Sequence, residues 1–126
     1  MNNFDILNAK IGEGTKELKI TNIEIRPVSF KDGRTTDKVF LACSTLDGEK
    51  QFDISEAWCE TQDGKKTQGL WVQLDSKNNI VPQSTLGRLL QYLEVKTLND
   101  LKEKVITGYP DDKKGYLVAT TYEKTA

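Results

Sequence analysis

The chain has 126 residues, a hydrophobic fraction of 37%, a charged fraction of 29% and a formal net charge of −1. That length suits one domain with one core, and no apolar run nears the roughly 18 residues a membrane span needs. So even a charge balance is not the footprint of a non-specific duplex binder, so any nucleic-acid partner has to be held by stacking and a local basic patch.

The N-terminus, M-N-N-F-D-I-L-N-A-K, lacks the basic start and long apolar stretch of a secretory signal, and the cytoplasm is the expected compartment. Residues 1–16 read as an arm or short helix with Phe4, Ile6, Leu7 and Ile11 on one side, broken by Gly12-Glu13-Gly14. The first strand begins near Glu17. Leu18 and Ile20 share one parity, Ile23 and Ile25 the other, and Val28 and Phe30 return to the first. Each switch predicts a bulge, one near Thr21-Asn22 and one at Arg26-Pro27. Pro27 has no donor for a ladder and belongs on an edge or at a bulge. Lys31 to Asp37 is a loop with its turn at Asp32-Gly33.

The stretch from Lys38 to Trp58 consists of two alternating runs joined at Asp47-Gly48. Asp-Gly in this setting predicts a two-residue type I′ turn, with positive φ at both central residues. Cys43 then faces Phe52, Leu41 faces Ile54 and Phe40 faces Ser55. Val39, Leu41, Cys43, Phe52 and Ile54 form a core face; Lys38, Phe40, Ala42 and Ser44 join Gln51, Asp53 and Ser55 on a wet one. Trp58 shares the parity of Ile54 and reads as core. Cys43 reads as a small apolar filler. Cys43 and Cys59 lack C-x-x-C spacing and the chain has no histidine, so neither a zinc site nor a disulfide is expected.

A second Asp-Gly pair, Asp63-Gly64, predicts an extra hairpin spanning 58–74, with Trp58 opposite Gly69. Leu70, Val72 and Leu74 share one face and Trp71 the other. After a polar loop from Asp75 to Asn79, Ser84 is placed to cap a helix in which Leu86, Leu89, Leu90 and Leu93 form one stripe. Gly87 costs that helix about 1 kcal/mol relative to alanine, so close packing is expected to require it. Thr97 to Asp100 resembles a second short turn capped by Thr97. Strands over Lys104 to Tyr109 and Tyr116 to Glu123 flank the turn-rich loop P-D-D-K-K-G.

The order is long strand, strand, strand with an extra hairpin, helix, strand, strand. It predicts a single, mainly β domain over 1–126: a five-stranded OB-like barrel with one helix between strands 3 and 4 and an extra β-hairpin. The run S-T-L-G-R-L-L-Q-Y-L-E-V-K-T-L-N-D-L-K-E-K-V-I-T-G, Ser84 to Gly108, resembles the C-terminal half of small OB-fold single-stranded-DNA-binding proteins of phage and archaeal type. Those also run helix, V-x-T-L-x-D-L, basic residue, strand. At one place the chain departs from them: a glycine is expected where Glu103 stands, before Lys104.

No histidine, G-x-S-x-G, Walker A or G-x-G-x-x-G is present, so neither enzymatic activity nor a cofactor is expected. Asp111-Asp112 beside Lys113-Lys114 reads as a solvated turn, and Asp53 and Glu56 as cross-strand partners of lysines rather than metal ligands. OB barrels hold single strands on strands 2 and 3 and on the loops joining strands 1–2 and 4–5. That surface carries Phe40 and Ser55, with Lys31, Arg34 and Lys38 from the first loop and Tyr109, Lys113, Lys114 and Tyr116 from the second. Trp71 extends the platform along the hairpin. The expected function is sequence-tolerant binding of single-stranded nucleic acid, DNA rather than RNA, with modest and salt-sensitive affinity. The alternative is a protein-interaction module in a replication or repair assembly, using the 58–74 hairpin to pair with a partner or a second copy. The residues leave both open: Phe40 is either a stacking platform or covered by the N-terminal arm, Trp71 either extends the platform or packs on the hairpin, and Tyr109 and Tyr116 either stack bases or face each other. A third reading, a carbohydrate or small-ligand barrel, lacks a convergent polar set.

Overall fold

The computed structural model describes residue 7 and residues 15–61, 64–111 and 116–122. Of the expected arm over residues 1–16 only Leu7, Thr15 and Lys16 are described, Lys16 as the start of β1, and the basic pair Lys113-Lys114 lies outside the described residues. Seven strands and one α-helix follow in the order β1 (Lys16–Ser29), β2 (Thr35–Thr45), β3 (Gln51–Ile54), β4 (Glu56–Thr61), β5 (Gly64–Gly69), α1 (Thr85–Tyr92), β6 (Val105–Pro110) and β7 (Leu117–Thr120). The strands make a mixed sheet ordered β3-β2-β1-β6-β7-β4-β5, antiparallel throughout except where β4 runs parallel to β7. No helix among the described residues is long and apolar enough to cross a membrane.

β1 pairs β6 over Lys16 to Lys19 and β2 over Leu18 to Ser29. The register shifts once, between Ile20 and Asn22, where the first bulge is expected. It keeps Leu18 and Ile20 fully buried and brings Ile23 and Ile25 to the face of Leu41 and Val39. Glu103 and Lys104 clamp it: the Glu103 N–H donates to the Ile20 carbonyl at 2.8 Å, and the Ile20 N–H donates to the Lys104 carbonyl at 2.9 Å. Glu103 takes a φ of 73° to do so, the left-handed region glycine enters without strain. This is the position where the resemblance expects glycine. The second expected bulge is absent, because the ladder runs without a shift through Pro27 to Ser29 opposite Thr35. Pro27 fits because this half of β1 pairs β2 alone. Phe30 keeps the parity of Glu24 and Arg26 and so lies on the outer face, where it meets an aromatic partner.

Two turns differ from expectation while leaving the strands in register. The loop expected over Lys31 to Asp37 is shorter, because Thr35, Thr36 and Asp37 belong to β2. The Phe30 N–H donates to the Arg34 carbonyl at 2.8 Å, and Gly33 closes the turn with a φ of 90°. At Asp47-Gly48 only Gly48 has positive φ, at 76°, so the turn is not type I′. The Asp47 carboxylate accepts from the Thr45 hydroxyl at 2.5 Å and the Glu49 N–H at 2.9 Å, which holds Asp47 at ordinary φ. The Thr45 N–H donates to the Lys50 carbonyl at 2.9 Å, closing a four-residue loop. A two-residue loop would close on the same alternation, so Leu41 still faces Ile54 and Cys43 faces Phe52.

Ser55 breaks the third long run into β3 and β4. Ile54 is buried before the break, and Ala57 and Cys59 after it. The parity therefore flips, and Trp58 lies half-buried on the outer face instead of in the core. The β4–β5 register is also two residues from expectation: Trp58 faces Thr67, and Gly69 faces Glu56. The pairing closes at Thr61 opposite Gly64, and Gln62 and Asp63 lie outside the described residues. Past β5 the chain crosses to the edge of β2. The Leu70 N–H donates to the Ser55 carbonyl at 2.9 Å, and the Val39 N–H to the Leu70 carbonyl at 2.8 Å. Leu70 is buried, but Leu74 is 50% exposed and does not continue the expected face.

α1 forms as its sequence predicts. The Ser84 hydroxyl accepts the Gly87 N–H at 3.0 Å. Leu86, Leu89 and Leu90 are buried in the cluster that also holds Leu18, Leu41 and Ile54, each side chain contributing about 1.5–3 kcal/mol by leaving water. Gly87 is needed: a Cβ there would run into the Val81 carbonyl and come within 3.0 Å of the Pro82 Cα. The helix ends in a Schellman motif, with the Val95 N–H on the Leu90 carbonyl at 3.0 Å, the Glu94 N–H on the Gln91 carbonyl at 3.1 Å and Glu94 at a φ of 59°. A 3₁₀ turn at Asn99–Leu101 follows, with the Asp100 N–H 3.4 Å from the Thr97 hydroxyl.

Candidate nucleic-acid interface

The outer faces of β2 and β4 carry Phe40 and Trp58, two half-buried rings the core does not use. On β1 the bulge sets Glu24 opposite Phe40 and Arg26 opposite Lys38. The Arg26 guanidinium lies 4.4 Å from the centre of the half-buried Phe40 ring. The Lys38 Nζ stands 4.9 Å from the Trp71 ring and 5.8 Å from the Phe40 ring. Such contacts contribute about 0.5–2 kcal/mol each, more as water is removed.

Trp71 reaches this place because its backbone bridges to Lys38 on the β2 edge and because Gly69 leaves room. A Cβ at Gly69 would come within 3.0 Å of the indole and 3.1 Å of the Lys38 stem. The sequence pairs a ring with this glycine correctly but chooses the wrong ring, Trp58. Phe30 packs against Trp71 with centroids 5.3 Å apart and planes tilted by 43°, and the Arg34 guanidinium lies 5.4 Å from the Phe30 ring. The first loop thus contributes a ring as well as a cation.

Glu56 joins the two halves of the surface. Its side chain is 11% exposed, and its carboxylate lies 4.0 Å from the Lys38 Nζ, which is itself 14% exposed. The Tyr116 hydroxyl donates to the same carboxylate oxygen. Two residues further along β4, on the same outer face, Trp58 stacks on Tyr109 with centroids 5.0 Å apart and planes tilted by 32°. Tyr109 faces Val118 across the β6–β7 pair, so the two tyrosines do not face each other. Thr67, opposite Trp58, donates its hydroxyl to Asp111 at 2.8 Å.

The expected residues therefore divide. Phe40, Lys38, Trp71, Tyr109, Tyr116 and Arg34 belong to one aromatic and cationic surface. Lys31 is exposed at its edge on the β1–β2 turn. Ser55 is half-buried at the strand break, where its carbonyl receives the Leu70 N–H. Arg26, Phe30, Glu56 and Trp58 are the additions. Arg26 and Phe30 follow once Asp32-Gly33 is read as a tight turn, which sets the β1–β2 register. Trp58 has no local signal, because its parity depends on the break at Ser55.

The field over this surface is small. Arg26 is paired with Glu24 at 2.7 Å through its Nε and lies 3.8 Å from Asp53. Arg34 is paired with Asp32 at 2.7 Å, and Lys38 with Glu56. Flat rings and neutralised cations side by side suit planar, stackable ligands better than dense phosphate charge. No family model, curated protein or solved structure matches the chain.

Proposed function

We propose that this protein binds single-stranded nucleic acid, DNA in preference to RNA, by stacking bases along the outer surface that runs from Phe30 and Trp71 through Phe40 to Trp58 and Tyr109. The architecture proposed to carry it is an OB-like barrel. Its support is topological: β3 and β4 are parts of one run interrupted at Ser55, and that run meets β2 at its start and β7 at its end. In a barrel of this kind the long first strand pairs with two neighbours, as β1 does, and the helix lies between the third and fourth long strands. β5 is then the extra hairpin arm.

The observation that carries the reading is the sharing of one surface by six aromatic rings and three cations drawn from β1, β2, β4, the segment after β5 and both expected loops. A contiguous group of rings on one face is the kind of apolar patch that marks an interaction site. Stacking on each ring contributes about 1–3 kcal/mol per base and tolerates any sequence. Both tryptophans lie on this surface, so oligothymidine should quench their emission in a saturable way. Trp71→Ala and Phe40→Ala should each weaken binding by about tenfold or more, as read by titration. Unchanged emission at low salt with micromolar oligothymidine removes the proposal.

A second reading has its own observation. β5 is the last strand of the sheet order and pairs only β4 among the described residues. Its free edge could accept a strand from a protein partner or a second copy. Light scattering distinguishes the homomeric case, which predicts a concentration-dependent mass.

A further inference from the structure

The face of β1 opposite Arg26 does something different. Past the bulge, Ile23 and Ile25 turn to the core side of the sheet, yet Ile23 is only half-buried and Ile25 is 53% exposed. The core is open there: Leu90 is buried, while Ile23, Ile80, Val95 and Leu98 are only partly covered. The opening is a groove of about 800 Å³ walled by Ile23, Ile25, Ile80, Leu90, Val95 and Leu98. Its rim carries Lys96 and Lys102 and a set of amide side chains. No residue lining it is acidic, although the chain holds 19 acidic and 18 basic residues. The one carboxylate at the base of the adjoining turn, Asp75, accepts the N–H groups of Lys77 at 2.8 Å and Asn79 at 3.0 Å and so serves the turn itself.

We infer that this groove is a docking site for an acidic, apolar peptide segment of a partner protein. Two features select that chemistry together. Six aliphatic side chains line the groove, and of these Ile25 and the half-buried Ile23, Ile80, Val95 and Leu98 gain burial against leucine, isoleucine or phenylalanine side chains. The lysines at the rim, with no carboxylate among the lining residues to neutralise them, favour aspartate and glutamate between those anchors and disfavour a basic segment. The aromatic surface lacks this asymmetry, since each of its arginines is matched by a carboxylate. The two surfaces use opposite faces of β1, so a peptide here leaves Phe40 and Trp71 open. The inference holds whether or not nucleic acid binds on the other side.

The test uses the full chain, labelled with nitrogen-15, and a synthetic peptide of about twelve residues alternating aspartate with leucine and phenylalanine. Saturable amide shifts are expected at Ile23, Ile25, Leu90, Val95 and Leu98, with Phe40 and Trp71 unmoved. The same peptide with lysine for aspartate should bind at least tenfold more weakly. The Lys96→Glu/Lys102→Glu variant, checked for an unchanged circular dichroism spectrum, should reverse that preference. Absence of shifts, or equal binding of both peptides, overturns the inference. So does a shift of these same amides on diluting the protein alone, which assigns the groove to a second copy. So does their shift on deleting residues 1–14, which assigns it to the chain's own arm.

Discussion

Four residues show how local chemistry sets energy at single positions. Glu94 and Glu103 sit at φ of 59° and 73°, where a side chain with a Cβ costs about 1–2 kcal/mol that glycine avoids. Glu94→Gly should therefore raise stability by about 1 kcal/mol in denaturant unfolding. Glu103→Gly should raise it less, because it also loses the exposed ion pair with Lys19 at 2.6 Å. Cys43 is 1% exposed. Burial first, and the nearby Asp53 charge second, push its thiol from 9.0 up to about 12. The folded chain keeps that proton while the unfolded chain releases it, so the stabilisation is complete below pH 9 and is lost as the pH rises towards 12. The unfolding midpoint should fall as the pH rises from 9 towards 12, and Cys43→Ala should flatten that fall. Asp47 works on the acid side: hydrogen bonds from the Thr45 hydroxyl and then the Glu49 N–H hold its carboxyl below its usual range. Its contribution is present above the usual carboxylate pKa and fades as the pH drops through the lowered value.

At the scale of the element, α1 and β1 each depend on one close approach. The Ser84 cap and the leucine stripe would form a helix in many settings, but its seat against Val81 and Pro82 requires Gly87. Gly87→Ala improves helix propensity by about 1 kcal/mol, while the clash is with backbone and cannot relax by a rotamer change. A net loss of about 2 kcal/mol is expected, measured by thermal or urea unfolding; a gain would mean the helix can shift outward. β1 depends on the Ile20–Asn22 bulge, which divides it into a half that holds the buried Leu18 and Ile20 and a half whose faces serve Phe40 on one side and the open groove on the other.

For the whole molecule, the decisive quantity is the charge balance of the aromatic surface. Its cations already have carboxylate partners, so few phosphate counterions can be released on binding. A single strand loses about 0.7 in the logarithmic salt slope per neutralised phosphate. The expected slope for oligothymidine is shallower than about −2, and weaker than the salt sensitivity the loop lysines alone suggest. A slope near −4 would show that phosphate contacts dominate and would contradict the stacking account.

Much of this was legible in the chain because it rests on short-range rules. Alternation marked Val39, Leu41, Cys43 and Ile54 as core, 3.6-residue spacing marked the leucines of α1, and Ser84 and Gly87 announced a cap and a tight seat. These follow from neighbours within one turn or one hairpin. What depended on tertiary structure was the outer face. The break at Ser55 turned Trp58 outward onto Tyr109, the crossing of Leu70 to Val72 onto β2 brought Trp71 to Lys38 and Phe30, and the β4–β5 register put Glu56 opposite Gly69. No local rule fixes those positions, because a one-residue change of parity reverses a strand's faces and only packing against distant strands selects which residue absorbs it.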